Sequence, residues 1–483
     1  MTTTTRSKKR IPMKKTMKLY VAAIGLAICV MTNDGAATSI TYIVGGRQIT
    51  MTDLGLLPGG SASSALAINN RGLIVGLATD STWNLQRPFW EANTGAIVGT
   101  ADNFDPASTA VPEHLNDNGG MAGTESINQN IYFGVYWDST GQAFGLPPMA
   151  GVDPFYGSRH TKAHGINNLG QIVGAGKESA PNYFLHAVLW QNKDTPAQDL
   201  GFLGKGAYVD YSEAFGINDL GHVVGNSALG TATRGFLWRD GNMIDLGALS
   251  GQVVSEASAV NNTGLVVGKC NLYPVTWTYD VANSSSTPAI RQLPILSGFF
   301  SATPTAVNDS DDVTGYAGSP NIDAHAILWR DGQAIDLGVW PGGHYSVAEG
   351  INNLGQIVGT GTIAGDNLDH ALMWTVVAVG GGGGGTANTT PSASLKATSS
   401  TSIRVGRSVS VQASFADPDN GPWSYKLDWG DGGATVGSSS NAGTIFGISP
   451  HAYTRTGSFS ARLTVTDGKG AVGSSNTISI RVR

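Results

Sequence analysis

The sequence predicts an all-β chain: a seven-bladed β-propeller with four-stranded blades, followed by an immunoglobulin-like β-sandwich. Three observations carry that prediction. A nonapeptide returns seven times at a blade-sized period, each copy is followed by the same strand and turn signature, and a glycine run sets off a C-terminal segment of alternating strands. A chain of 483 residues exceeds one ordinary compact core, and its 66 glycines with only 13% charged residues suit short strands joined by tight turns.

The nonapeptide begins at Ile68 (INNRGLIVG) and recurs at Leu115, Ile166, Ile217, Val260, Val307 and Ile351. Its first Asn falls at 69, 116, 167, 218, 261, 308 and 352, so the period drifts between 43 and 51 residues. A repeat of that size cannot bury its own apolar face and must stack on its neighbours. About twenty residues further on, an apolar strand ends in Trp at 90, 137, 190, 238, 277, 329 and 374. One Trp per unit at one position predicts core. A polar turn such as Arg239-Asp240-Gly241-Asn242 then leads to a strand ending in Asp-Leu-Gly at 53–55, 199–201, 245–247 and 336–338, with degenerate forms at Leu146-Pro147 and Leu293-Pro294.

Each unit thus holds four strands. Residues Ser64 to Ile68 alternate as a half-buried strand, Leu73-Ile74-Val75 is apolar on both faces, and Gly76 with its six counterparts suits close backbone approach. The seventh unit lacks its own Asp-Leu-Gly strand, whereas residues 49–55 precede the first nonapeptide without a parent unit. Pairing the two completes a ring; an open solenoid, the alternative, needs capping units that the sequence lacks. The linked submotifs Asn-Asn-x-Gly-x-Ile-Val-Gly, His-Ala-x-Leu-Trp and Asp-Leu-Gly resemble the bacterial extracellular HAF-type repeats over residues 42–375. The resemblance implies secretion or surface exposure and carries no activity with it.

Beyond a hexaglycine at 380–385, strands read at 408–411, 425–429, 459–465 and 478–480. Asp417-Pro418-Asp419, Trp429-Gly430-Asp431-Gly432 and the run from Tyr453 through Phe459, Leu463, Val465, Asp467 and Gly470 resemble the polycystic-kidney-disease (PKD) type of sandwich. That resemblance implies a spacer, adhesion or substrate-association module. The expected organisation is a signal peptide at 1–38, the repeat domain at 39–379, a linker at 380–391 and the sandwich at 392–483.

The N-terminal segment has seven Lys or Arg before a 13-residue apolar run, Leu19 to Met31, with Gly35-Ala36-Ala37 after it. This is the pattern of a cleaved secretory leader, an uncleaved anchor being the alternative. Removing residues 1–38 takes away those seven basic residues and one acidic one, leaving 22 basic against 34 acidic side chains, a formal charge of −12. Such a surface disfavours nucleic acid and anionic membranes. Only Cys270 would then remain, so an internal disulfide is excluded.

Strand order places the connections after Asp-Leu-Gly and after Ile-Val-Gly on one side of the ring, and these long loops are the expected functional face. There the candidate ligand-binding residues are Phe155, Tyr156, Tyr208, Tyr211, Phe299, Phe300, Trp340, His344 and Tyr345, aromatic or polar groups suited to sugar or protein contact. Trp83, Tyr183 and Phe184 belong to the same face. His186, His325 and His370 occupy one position in three different units and cannot converge on a metal. His160 and His164, near Asp153 and Glu178, lack the helical spacing of a zinc pair. Asp309, Asp311 and Asp312, like Asp417 and Asp419, are where Ca²⁺ could bind, with a solvated turn as the alternative. No catalytic or phosphate-binding motif is present. The expected function is a secreted or cell-surface, monomeric, non-catalytic binding protein for an extracellular polysaccharide or surface protein, without a cofactor. A polysaccharide hydrolase or lyase is the alternative.

Overall fold

The computed structural model describes residues 30–33, 38–44, 46–104, 109–128, 131–152, 160–177, 184–204, 210–283, 286–319, 322–363, 368–378, 390–416, 423–439, 443–445, 450–467 and 471–483. These are all-β, without a helix, and are divided among many small sheets. Most of the expected signal peptide, the whole hexaglycine, and the pair Asp417 and Asp419 lie outside the described residues. Val30–Asn33, within the expected leader, is a strand antiparallel to Thr38–Val44.

Seven sheets correspond to the seven repeats. In each, a leading strand runs into the Asn pair, as Ser63–Ile68 does in the first unit. The Ile-Val-Gly strand, the Trp strand and a short fourth strand then add in order, all antiparallel. Leading strands pack one on the next in chain order, and the seventh, Ser346–Ile351, also packs on the first. The seventh sheet takes its fourth strand from the other end of the chain. Arg47–Asp53 pairs with Asp369–Ala378, setting Met51 opposite Trp374. That pairing buries Ile49 and Met51 completely, and Ile40 of the preceding strand nearly so.

Side chains of the nonapeptide explain why the units hold each other. Asn69 is buried at 4% exposure; its Oδ1 accepts from the Arg71 and Leu73 N–H groups, and Gly72, at φ 79°, makes the turn possible. Its Nδ2 then donates across to the carbonyl of Asn116 at 3.0 Å. The same bond runs from Asn116 to Asn167, Asn218, Asn261, Asn308 and Asn352, and from Asn352 back to Asn69. Each bond satisfies a buried amide that would otherwise cost about 1–3 kcal/mol.

The second residue of each pair makes a further ring, in which Asn and Asp alternate: Asn70, Asp117, Asn168, Asp219, Asn262, Asp309, Asn353. Every Oδ1 accepts the backbone N–H of the preceding unit, as Asp117 does from Asn70 at 2.8 Å. The remaining atom donates if it is an amide and accepts if it is a carboxylate, so alternation pairs donor with acceptor around the ring. Seven is odd, and one like pair is unavoidable. It falls at Asn353–Asn70, where both groups are neutral and no carboxylates face each other.

Core assignments from the sequence hold for most of the Trp set. Trp90, Trp137, Trp190, Trp277 and Trp374 are fully buried and Trp329 nearly so, whereas Trp238 is half-buried beside the buried Arg239. The degenerate Leu-Pro forms have a use of their own: the carbonyls of Pro147 and Pro294 accept the indole N–H of Trp190 and Trp329 in the following unit, each at 2.7 Å.

The C-terminal module packs two main sheets. One orders Ser392–Ala397, Val411–Ala416 and Gly443–Ile445; the other orders Ser402–Ile403, Val472–Val482, Gly457–Thr466, Trp423–Asp428 and Ala434–Ser439. Trp429, Tyr453 and Leu427 centre its core, and the Tyr453 hydroxyl donates to the Trp429 carbonyl at 3.0 Å.

Candidate functional site

Every leading strand carries a β-bulge at the same place, three residues before the first Asn. The unpaired residues are Leu66, Glu113, His164, Phe215, Ser258, Thr305 and Glu349. The nonapeptide glycine permits this bulge: a Cβ on Gly76 would stand 1.9 Å from the Ser64 carbonyl oxygen, and one on Gly359 1.9 Å from that of Val347. With the backbones so close, the extra residue is turned out of the ladder. All seven line one cavity of about 650 Å³. Toward the Asn rings it meets a collar of Ile68, Leu115, Ile166, Ile217, Val260, Val307 and Ile351, which also border a smaller polar cavity of about 160 Å³.

The cavity wall is electrically uneven. On one side His164 lies between two carboxylates, with Nδ1 2.6 Å from Glu113 and Nε2 2.9 Å from Glu213. Lys162 and the Tyr211 hydroxyl also donate to Glu213, at 2.9 and 2.7 Å. Burial works against the imidazolium, but the hydrogen bonds to Glu113 and Glu213 outweigh it and raise His164 to about 9. Burial likewise opposes the Glu213 carboxylate, and the bonds from His164, Tyr211 and Lys162 overcome it, holding Glu213 down at about 2. Phe215 lies beside this group, its ring 5.1 Å from that of His164. Across the seventh unit the setting is the reverse. Glu349 makes no hydrogen bond or ion pair among the described residues, and burial alone pushes it up to about 7.

Sequence reasoning missed this cavity because it sought function on the loops. The signal was present: one column, three residues before each Asn, holds Leu, Glu, His, Phe, Ser, Thr and Glu, whereas the column before it holds only Ala or Pro and the column after it, His114 apart, only Ala or Gly. Among the loop residues singled out, Phe155, Tyr156 and Tyr208 lie outside the described residues, as do Asp153, Glu178 and Tyr183. Tyr211 belongs to the cavity cluster; burial first, then Glu213, raises its hydroxyl pKa. Phe299 is half-buried against the sixth sheet, its ring 5.1 Å from that of His325, and Phe300 is exposed. Trp340 must be corrected: it is 5% exposed and packs with Ile335, Leu337 and Trp374, because the Trp340–Gly343 turn folds the indole back onto the sheet. His344 is exposed, and its N–H donates to Thr362. The Tyr345 hydroxyl donates to Asp369.

The repeated histidines are paired within their sheets. His186 meets Asp199, His325 meets Asp336 and His370 meets Asp53, so the Asp of Asp-Leu-Gly is the partner of the His in His-Ala-x-Leu-Trp. Arg234 and Asp245 make the equivalent pair in the fourth unit. Asp309, Asp311 and Asp312 diverge: the first joins the Asn/Asp ring, the second accepts from Asn261 and Thr263, and the third binds Arg330. Among the described residues, no three His, Cys, Asp or Glu side chains are placed to hold a metal ion.

In the C-terminal module, His451 stacks on Trp429 with centroids 4.8 Å apart and bonds Asp431 at 2.8 Å. A family model described as "PKD domain" matches residues 388–482. This module is a PKD domain. A solved structure similar to part of the chain is the PKD domain of an M14-like peptidase from Thermoplasmatales archaeon SCGC AB-540-F20. It is 19% identical, covers 20% of this chain and 98% of its own, and has a TM-score of 0.18. No curated protein matches the chain. Among the described residues no helix is long and apolar enough to cross a membrane.

Proposed function

We propose that this chain is a secreted or cell-surface binding protein. In this reading the seven sheets are the blades of a closed β-propeller of HAF-type repeats, residues 1–38 are its leader, and the PKD domain is a spacer or second contact. The Asn352-to-Asn69 bond and the borrowed strand Arg47–Asp53 support closure. PKD domains are typically extracellular spacer or adhesion modules, which supports the location. A monomer presenting one cavity and one tethered module gains avidity where both find ligand on the same surface. The proposed ligand is an extracellular polysaccharide or a surface protein.

The carrying observation is the cavity itself. A frame of near-identical units presents seven side chains of six kinds to one space of about 650 Å³, a size suited to a small ligand or the end of a long one. The second reading, a polysaccharide hydrolase or lyase, draws on Glu113 and Glu349, two carboxyl groups of one cavity in opposite electrostatic settings. A single experiment separates the two. The full chain is passed over immobilised polysaccharides while released reducing ends are assayed. Retention without new ends supports binding; new ends that vanish in Glu349→Gln replace it with catalysis. If nothing is retained and nothing is cut, the polysaccharide reading fails.

A further inference from the structure

Glu349 stands apart from every other carboxylate of the cavity wall. Glu113 has His164 and Glu256 has Lys269 at 3.3 Å, while Glu213, which does not line the cavity, has His164 and Lys162. The elements packed against Glu349 offer it nothing comparable. The leading strands on either side, Ser63–Ile68 and Ser301–Val307, contain no charged residue, and neither does Gln356–Thr362. On Val313–Ser319 the only titratable group is Tyr316, which lines the same cavity. On Ile322–Arg330, His325 is paired with Asp336, Arg330 with Asp312, and Asp323 is exposed. Glu349 is half-buried, and a carboxylate partly withdrawn from water without a counter-charge is costly; a ligand that supplies the charge recovers that cost on binding.

We propose that the cavity is a binding site for a primary ammonium group, which Glu349 receives as its ion-pair partner at the bulge position between Leu66 and Thr305. The inference rests on the binding-protein reading and narrows its ligand. The ammonium is carried by an amino-sugar residue or by an alkyl amine, and it enters from the end opposite the collar and the Asn rings. Two features favour ammonium over a metal ion. A metal needs several converging ligands, and no such group exists among the described residues. An ammonium needs one carboxylate and further acceptors, and the Thr305 and Tyr316 hydroxyls line the same space. The chain's formal charge of −6 favours encounter with cations. Because burial holds Glu349 at about 7, binding below neutral pH expels the carboxyl proton to solvent while the amine keeps its own.

Isothermal titration calorimetry on the full chain tests this with glucosamine, N-acetylglucosamine and 1,5-diaminopentane, at several pH values and in two buffers of different ionisation heat. At least one amine should bind while N-acetylglucosamine does not, and which amine binds identifies the carrier. Affinity should rise about tenfold per pH unit below 7, with proton release. Glu349→Gln should weaken binding about tenfold or more at pH 8. Leu66→Lys, which places an ammonium beside Glu349 from within the chain, should do the same if the Gln variant misfolds. Equal binding of the N-acetyl sugar, unchanged affinity in both variants, or silence from both amines overturns the inference. Polysaccharide retention that survives Glu349→Gln while both amines are silent sinks the ammonium site and leaves the wider reading standing. Amine binding through Glu349 without any polysaccharide retention does the opposite.

Discussion

Replacing Glu349 by Gln tests the electrostatics of the cavity through stability, without any ligand. The folded protein holds this carboxyl at about 7 against an ordinary 4.5, by burial alone. A raised carboxyl pKa contributes stability that is complete below the unfolded value and lost as pH rises through the folded one. For Glu349 the window is therefore pH 4.5 to 7. The rise corresponds to about 3 kcal/mol of folded-state penalty once the group is ionised, at about 1.4 kcal/mol per pH unit. Gln removes the ionisation and introduces its own offset, which does not vary with pH. The quantity to follow is therefore the difference between the variant and the native chain. It should move in favour of the variant by about 3 kcal/mol between roughly pH 4 and pH 9. Denaturant unfolding followed by tryptophan emission suits the measurement, because Trp90, Trp277 and Trp374 are fully buried in the repeat sheets. A difference that stays flat across that range would show that Glu349 is solvated or compensated, and the description of the cavity wall would be wrong.

His164→Gln should cost about 3 kcal/mol near neutral pH, since it leaves Glu113 and Glu213 facing each other without the cation. His164 is raised from 6.5 to about 9, so the loss should be full below pH 6.5 and fade as pH climbs through 9 in the same denaturant titration. Asn353→Asp should destabilise by about 1–3 kcal/mol, because it removes the donor to Asp309 and sets two carboxylates side by side. Lowering the pH below about 4 should restore the variant, and a pH-independent effect would count against the alternating ring. Truncation to residue 54 removes three fully buried side chains, Ile40, Ile49 and Met51, worth about 5–9 kcal/mol together, and uncovers the edge of Asp369–Ala378. The truncated chain should aggregate on expression, while a native-like monomer by light scattering would refute the role assigned to the borrowed strand.

Much of the frame was legible because each feature has a local cause. The Asn-Asn-x-Gly turn needs a residue at positive φ, the glycine of Ile-Val-Gly needs zero side-chain volume against a carbonyl, and the Trp strand needs a partner sheet; all three demands surface as repeated letters. The borrowed strand was legible by subtraction, since the Asp-Leu-Gly strand at 49–55 had no unit of its own and the seventh unit ended at Trp374 without a fourth strand. The cavity was hidden for a geometric reason. Strict alternation assigns a facing to every strand residue, and a bulge shifts the register by one, so the unpaired residue cannot be read from the alternation. Loop aromatics misled in the opposite direction. Trp340 opens a glycine turn and looks exposed in sequence, yet a large apolar side chain next to a sheet edge gains more by packing with Ile335 and Leu337 than by facing water.

The bulge column also explains how such a frame can vary in specificity without loss of stability. Four constraints act within each nonapeptide: two Asn-type residues bond the next unit, the turn glycine or its Asp311 substitute holds the positive φ, and the last glycine leaves room for the neighbouring carbonyl. None of them touches the side chain three residues before the first Asn. That position is held by backbone geometry alone, so it tolerates Leu, Glu, His, Phe, Ser and Thr in one chain. A charge placed there must find its balance from a neighbouring unit, as Glu113 and Glu213 do around His164, or from outside the protein. Glu349 has no balance within the described residues, and for that reason it, rather than the larger and better bonded His164 cluster, is where a ligand has most to contribute.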